Sequence, residues 1–349
     1  MTREELIKAH ISICRMKPNS TAQPSNSVDI DKVMDMVLVV LYSITIILGI
    51  TGNGVVIWIT GCKVKRVVNN VWFLNLAVAD FIFCLSRTIS LAKNLFYDYW
   101  PFGEFLCKFN GFFKYANMFC SVFLLAVISM DRCISVLYPL SIKEWRTLRS
   151  ASFISLIVWA LAVSFSLPYF VFRQTSLDPS NGNLTKCSLD IPGSEDGRRI
   201  QLVLYTLRFL CGFMVPFIII TICYILTAYK LKQTRSPKYS RSLKLIAALV
   251  AAFFFCWAPY HAFLLAKMVK KKSPVVRVGL PLFKGLAYLN SCINPILYFF
   301  MGVNFKKKQL GWKLSSILKR VFVDDWEHSQ RTMKKESSSP ANTLENTVI

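Results

Sequence analysis

Seven predominantly apolar runs, each about 20 residues or longer, fill most of this 349-residue chain, at roughly 34–60, 69–93, 106–137, 150–172, 200–229, 242–268 and 278–301. A helix of about 20 residues crosses the hydrocarbon core of a bilayer. Lipid offers the backbone no hydrogen-bond partners, so such runs cross it as helices. Composition agrees, with 54% hydrophobic residues, 17% charged residues and a mean hydropathy of +0.43. The expected fold is an all-α membrane protein, a seven-transmembrane helix bundle at 34–303. Flanking it are an N-terminal segment at 1–33, a short amphipathic surface helix at 304–320 and a polar, disordered tail at 321–349. The opening residues lack the apolar core of a cleavable signal, so the first span is expected to direct insertion.

Lysine and arginine near span ends set orientation. Lys63, Lys65 and Arg66 follow the first run; Lys143, Arg146 and Arg149 the third; Lys230, Lys232, Arg235, Lys238 and Arg241 the fifth; and Lys306, Lys307, Lys308, Lys313, Lys319 and Arg320 the seventh. All four clusters fall on one side, which is read as cytoplasmic, with the N-terminus extracellular. The sequons at Asn19 and Asn183 fall on the other side as candidate glycosylation sites. Lys270, Lys271, Lys272 and Arg277 break the rule in the last outer loop.

Polar groups inside spans are costly and therefore informative. Asp80 lies in "FLNLAVADFIF", Asn53 in "GITGNGVVIW", Ser121 in the third run, and Asn290, Ser291 and Asn294 in "LNSCINPILY". They form a candidate inward cluster suited to a sodium ion or a water network; scattered backbone-bonded polar groups are the plainer alternative. Pro216, Pro259 and Pro295 interrupt spans and permit kinks, with the bulky Trp257 two residues before Pro259. Asp131 and Arg132 stand where the third run reaches the water boundary, so Arg132 can snorkel and pair with its neighbour.

"GN" at 52–53, "LAVAD" at 76–80, "DRC" at 131–133, Trp159, Pro216 with Tyr224, "CWAPY" at 256–260 and "NPILY" at 294–298 occur one per span and in order. Together they resemble the landmarks of rhodopsin-like (class A) G-protein-coupled receptors. "NMFCSVFLLAVISMDRCISVLYP" and "NSCINPILYFFMGVNFKK" are similar to the chemoattractant branch of formyl-peptide and chemerin receptors, nearest the chemerin receptors. The resemblance implies a plasma-membrane receptor signalling through heterotrimeric G proteins, of the inhibitory class in this branch. It implies that Arg132 is released on activation, with Tyr224 and Tyr298 closing behind it. It also implies a Cys107–Cys187 bridge between the third span and the long outer loop, and arrestin recruitment after kinases modify Ser337, Ser338, Ser339, Thr343 and Thr347. Many relatives lock the arginine to an acid at the base of the sixth span; "RSPKYSRSLK" at 235–244 contains none.

Other functions fit less well. The position where opsins carry the retinal lysine is Tyr288, no internal repeat points to a transporter, and His10, His261 and His328 are scattered without metal-ligand spacing. No catalytic, metal or nucleic-acid function is expected, and membrane lipids are the other partners. A non-signalling scavenger receptor and a receptor for a lipid carboxylate remain as alternatives.

Helical geometry points to the ligand. Eighteen residues at about 100° each bring Lys114 to the azimuth of Arg132, and seven bring Arg87 near that of Asp80. With Arg208 in the fifth span and Lys284 in the seventh, four cations are expected to face one cavity, beside Tyr115, Asn117 and Tyr288 and under a rim of Lys93, Lys267 and Lys270–Lys272. The expected ligand is an anion, the free carboxyl end of a peptide or else a lipid carboxylate, with Arg87 and Arg208 as its direct partners. Amine receptors carry an aspartate where Lys114 stands, and formyl-peptide receptors carry one where this chain has Tyr115.

Overall fold

The computed structural model describes residues 30–63, 66–178, 184–189, 195–234, 240–269 and 273–302, with side chains undescribed at 240–246, 298–302 and a few segment ends. Tyr298 as a side chain, Lys270–Lys272, both sequons' asparagines, the expected surface helix and the tail serines and threonines all lie outside this description.

Six helices are long and apolar enough to cross a membrane. In chain order the spans are α1 (Ile30–Trp58), prolonged by a π-turn at Ile59–Lys63; α2 (Val68–Phe96); α3 (Gly103–Leu137); and, after the short α4 (Ile142–Trp145), α5 (Leu148–Val171). The fifth span consists of α6 (Glu195–Phe209), a π-turn (Leu210–Met214) and α7 (Val215–Thr234), and α8 (Ser240–Val269) forms the sixth. The seventh, α9 (Pro274–Gly302), has the length but carries Arg277, Lys284, Asn290, Ser291 and Asn294. Its polar residues are the reason its hydropathy is lower; three of them, Asn290, Ser291 and Asn294, are buried.

The described residues from Met34 onward form one compact unit. Within that unit α3 packs against α2, α5, α7 and α8, while α9 packs on α8 and α2. The sequence explains α3's central place, since every residue from Tyr115 to Val122 is buried. On α5 the buried positions are Ala151, Ser155, Val158, Ala162, Ser166 and Tyr169, a mostly small-residue stripe with helical spacing. Such a stripe lets two helices approach closely. The opposite face of α5, including Phe153, Leu156, Ile157 and Leu161, is exposed, as a lipid-facing surface would be. Trp159 Nε1 donates to Asn75 Oδ1 at 2.9 Å, and Asn75 Nδ2 to Ser155 Oγ at 3.3 Å, fixing α2 against α5.

Over the end of the bundle where α3 begins lies an antiparallel hairpin, β1 (Gln174–Asp178) and β2 (Leu184–Ser188), with Thr175 opposite Cys187. Cys187 is bonded to Cys107 at the start of α3, with 5.7 Å between the Cα atoms, so the expected bridge is present. Trp100 donates its backbone N–H to Thr185 O at 2.7 Å and its Nε1–H to Gly103 O at 2.8 Å. Gly103, at φ +73°, opens α3 in a left-handed conformation that only glycine adopts freely. The hairpin is thereby tied to the mouth of the bundle at two points.

Candidate functional site

Arg208, on the last turn of α6, is only 1% exposed. Its Nη1 donates to Tyr115 Oη at 2.8 Å, and its Cζ lies 4.9 Å, 5.1 Å and 5.4 Å from the ring centroids of Tyr205, Tyr115 and Tyr260. Tyr115 stacks on Tyr169 at 3.7 Å, and Tyr169 donates its hydroxyl to Leu204 O at 2.7 Å, which fixes that wall. Guanidinium stays charged in proteins, so this is a permanent cation in a box of tyrosines. Nε and Nη2 are buried with no hydrogen-bond partner, as are both ring nitrogens of neighbouring His261.

The other three expected cations lie beside it around a second ring. Tyr288 stacks on Tyr42 at 5.8 Å and meets Phe83 edge-on at 5.2 Å. Arg87 Cζ is 5.3 Å from its centroid, and Lys114 Nζ and Lys284 Nζ are each 5.9 Å away. One aromatic ring therefore faces three cations, and Lys114, also 4.7 Å from the Tyr115 ring, links the two groups. Arg87 differs from Arg208 in its bonds. Its Nη2 donates to Asn110 Oδ1 at 2.6 Å and to Asn110 O at 3.1 Å, and both Nε and Nη2 reach Ser86 Oγ. Of the two arginines expected to meet a carboxylate, Arg208 keeps two donors unengaged while Arg87 has Nε and Nη2 engaged within the protein.

Beneath lies the polar cluster. Asp80 Oδ1 accepts from Asn117 Nδ2 at 2.9 Å and Ser121 Oγ at 3.2 Å, and its Oδ2 accepts from Asn294 Nδ2 at 2.8 Å. Ser291 Oγ donates to Asn117 Oδ1 at 3.4 Å, and Asn53 Nδ2 donates to Ser291 O and Gly49 O, each at 2.9 Å. Asn290 is buried nearby but takes no part in these bonds. Asn117, expected at the ligand pocket, is positioned instead by Asp80 within this cluster. The carboxylate is thus met by two amide N–H groups and one hydroxyl, so both of its oxygens are engaged by donors of the protein itself. Among the described residues no group of three or more His, Cys, Asp or Glu is gathered for a metal.

Between the layers sits Trp257, buried, 5.8 Å edge-on from Tyr260 and one turn from Phe253, with Pro259 inside α8 and Pro295 inside α9. This places the tryptophan next to the tyrosine that walls Arg208. At the far end of the bundle from the hairpin Asp131 and Arg132 are half-buried and Tyr224 is exposed on α7. Both Asp131 oxygens are held by Arg146, at 2.8 Å and 3.0 Å, and Arg146 also donates to Asn69 Oδ1. Arg146, which grips this carboxylate from 15 residues further on, was not expected from the sequence.

Residues 52–298 match the family model of 7 transmembrane receptors of the rhodopsin family. The chain belongs to the rhodopsin-like seven-transmembrane receptors. It is 42% identical over 311 residues to chemerin-like receptor 1 of Homo sapiens, covering 85% of this chain and 83% of that one. It is 38% identical over 291 residues to the C3a anaphylatoxin chemotactic receptor of Oncorhynchus mykiss, covering 82% and 79%, and 36% identical over 320 residues to N-formyl peptide receptor 3 of Pongo pygmaeus, covering 87% and 91%. This rhodopsin-like receptor is therefore a multi-pass membrane protein of the chemoattractant group and not an enzyme.

Periodicity alone missed several residues of the receptor's site, namely Tyr169, Tyr205, Tyr260, Arg146 and Arg173. A helical wheel orders residues within one helix, whereas these act through contacts between helices or with the outer loop. The one available sign was the unusual density of tyrosine in spans that also carry basic residues.

Proposed function

We propose that this receptor responds to a chemoattractant whose anionic end enters the tyrosine box, most simply a peptide or protein with a free C-terminal carboxylate, as in the chemerin that its relatives are named for. The observation that supports it is Arg208, a buried guanidinium with two unengaged donors and no acid among its named neighbours. An arginine fork matches a carboxylate in geometry and charge, and burial makes that match count. Lys114 adds a point charge from α3 and Lys284 another from α9. Ligand entry from the hairpin side, with the N-terminus extracellular, would place the basic inner loops where a G protein of the inhibitory class docks. Arrestin and receptor kinases would then act on the tail.

The box also links ligand to switch. Tyr260 touches both Arg208 and Trp257, and Trp257 lies two residues before Pro259. An anion that draws Arg208 away from Tyr260 changes the packing of α8 at its kink.

The test uses the C-terminal nonapeptide of chemerin as free acid and as amide, on wild type and Arg208→Ala. The expected result is at least a tenfold loss of potency on amidation in wild type, about 1.4 kcal/mol, that disappears in the variant. A loss within about threefold, roughly 0.7 kcal/mol, or a preference that survives in Arg208→Ala, overturns the reading. A fatty-acid ligand showing the Arg208-dependent preference while the peptide does not would assign the pocket to a lipid carboxylate. A second-messenger response distinguishes signalling from scavenging, and its persistence after pertussis toxin would exclude the inhibitory G protein.

A further inference from the structure

A second cavity, of about 350 Å³, opens under the hairpin. Its charged lining is Lys93 from α2, Arg173 after α5, Lys186 from β2 and Lys284 from α9, against a single acid, Asp98. Neither Arg208 nor any tyrosine of its box lines this cavity. Of the four cations expected in the upper bundle, Lys284 lines this cavity, and Lys114, near the rings of both Tyr288 and Tyr115, stands between it and the tyrosine box of Arg208.

We infer that this cavity is a second anion subsite, which takes an aspartate or glutamate side chain of a peptide whose C-terminal carboxylate occupies the Arg208 box. The inference rests on the carboxylate reading above and narrows it to a ligand with two anionic groups. Three features support it. The walls are rigid: Cys187 in the lining is disulfide-bonded, Arg173 donates Nη2 to Cys187 O at 3.4 Å, and Asn110 is fixed by Arg87 and by Ser90 at 3.3 Å. The polar groups are convergent, since Ser90, Asn94 and Thr185 line the same space and offer donors beside the cations. The size is selective, because ligand pockets run to roughly 300–1,000 Å³, and a chamber at the bottom of that range holds a side chain rather than a folded segment. Like charges gathered from four elements repel one another, and an acidic group entering among them relieves that repulsion. A fatty acid has one anion and would leave this chamber unmatched.

The probe is a set of free-acid nonapeptides based on the chemerin C-terminus, with a single glutamate moved from the second to the eighth position from the carboxyl end. Each is paired with its glutamine and lysine counterparts, and binding is read by displacement of a fluorescent peptide. The expected result is one or two adjacent positions at which glutamate binds at least tenfold tighter than glutamine on wild type. In Lys93→Glu with Lys186→Glu the preference inverts, lysine binding tighter than glutamine at the same positions, a gain that misfolding cannot produce. Glutamate within about threefold of glutamine at every position, or a preference that does not invert, overturns the second subsite. If the acid–amide difference at the C-terminus persists in those cases, the Arg208 reading stands alone. If that difference is also absent, or if no peptide displaces the probe at high micromolar concentration, both readings fall together.

Discussion

Arg146 binds Asp131 with two parallel bonds, Nε to Oδ1 at 2.8 Å and Nη2 to Oδ2 at 3.0 Å. A bidentate pair of this kind is stronger and more directional than a single contact. It anchors the segment that follows α4 to α3, through the carboxylate that stands next to Arg132. The segment 235–244 contains no carboxylate for the lock at the base of the sixth span that many relatives carry. Wild-type membranes are therefore expected to exchange guanine nucleotide above mock membranes without ligand. Arg146→Ala removes both bonds from Asp131, so that its charge acts more strongly on the adjacent Arg132, and is expected to lower ligand-free exchange by at least half at matched surface expression. Exchange at or above the wild-type level in the variant would show that this pair does not bias the resting state.

Gly49 on α1 marks a close approach of three spans. A Cβ at this position would stand 2.2 Å from Cys84 Sγ on α2, 3.1 Å from Cys84 Cβ and 3.5 Å from Cys292 Sγ on α9. Both thiols are fully or almost fully buried, and Cys292 Sγ donates to Thr45 O at 3.4 Å, so neither has room to turn away. Overpacking a tight core costs roughly 1–3 kcal/mol. Gly49→Ala is expected to lower the melting temperature of the purified receptor by several degrees. Adding Cys84→Ala, which removes the nearest atom, is expected to restore most of the loss. A double variant that melts no higher than Gly49→Ala would mean that the strain is relieved elsewhere.

Cys107 and Cys187 close a loop of 80 residues. In solution such a cross-link would be worth about 4 kcal/mol by loop entropy, less here because the spans already confine the chain. Its effect should appear at the mouth, where Cys187 lines the second cavity and Arg173 bonds to it. Cys187→Ser is expected to reduce peptide affinity at least tenfold, while the melting temperature of the bundle falls by only a few degrees. Equal affinity in the variant would show that the hairpin keeps its place without the bridge.

Much of the bundle was legible because hydropathy and cost point the same way. Apolar runs of bilayer length become spans, and a buried Asp80 has to find donors, which it finds in Asn117, Ser121 and Asn294. The bonds that distinguish the upper cations were not legible. The sequence places Arg208 in the fifth span but not its rotation, and the π-turn at Leu210–Met214 lies between Pro216 and Arg208. One extra residue in a turn rotates the helix before it by about 100° relative to the helix after it. Nor does a helical wheel fix the rotation of one helix against another, which is what brings Tyr169 of α5 onto Tyr115 of α3. Arg146 and Arg173 were invisible for a related reason, since each lies at or beyond a helix end and acts on a group that the fold brings near.

Arg87 and Arg208 allow the sharpest test, because they have the same charge and nearly the same burial, 2% and 1% exposed, but different bonds. Arg87 satisfies two acceptors of Asn110 and reaches Ser86, joining α2 to α3. Arg208 makes one bond to Tyr115 and leaves two buried donors unmatched. Removing a well-bonded group strands its partners at about 1–3 kcal/mol, whereas removing an uncompensated buried charge relieves a desolvation penalty. Sites shaped for a ligand commonly hold such unrelieved cost until the ligand arrives. Arg87→Gln is thus expected to lower the ligand-free melting temperature and to keep the acid-over-amide potency ratio within about threefold of wild type. Arg208→Gln is expected to do the reverse, melting at or above wild type and losing the ratio. The two measurements, a ligand-free thermal melt and the paired peptide titration, move in opposite directions for the two arginines. If Arg208→Gln melts below Arg87→Gln, or if Arg87→Gln abolishes the ratio, hydrogen-bond satisfaction does not separate the structural cation from the ligand's partner.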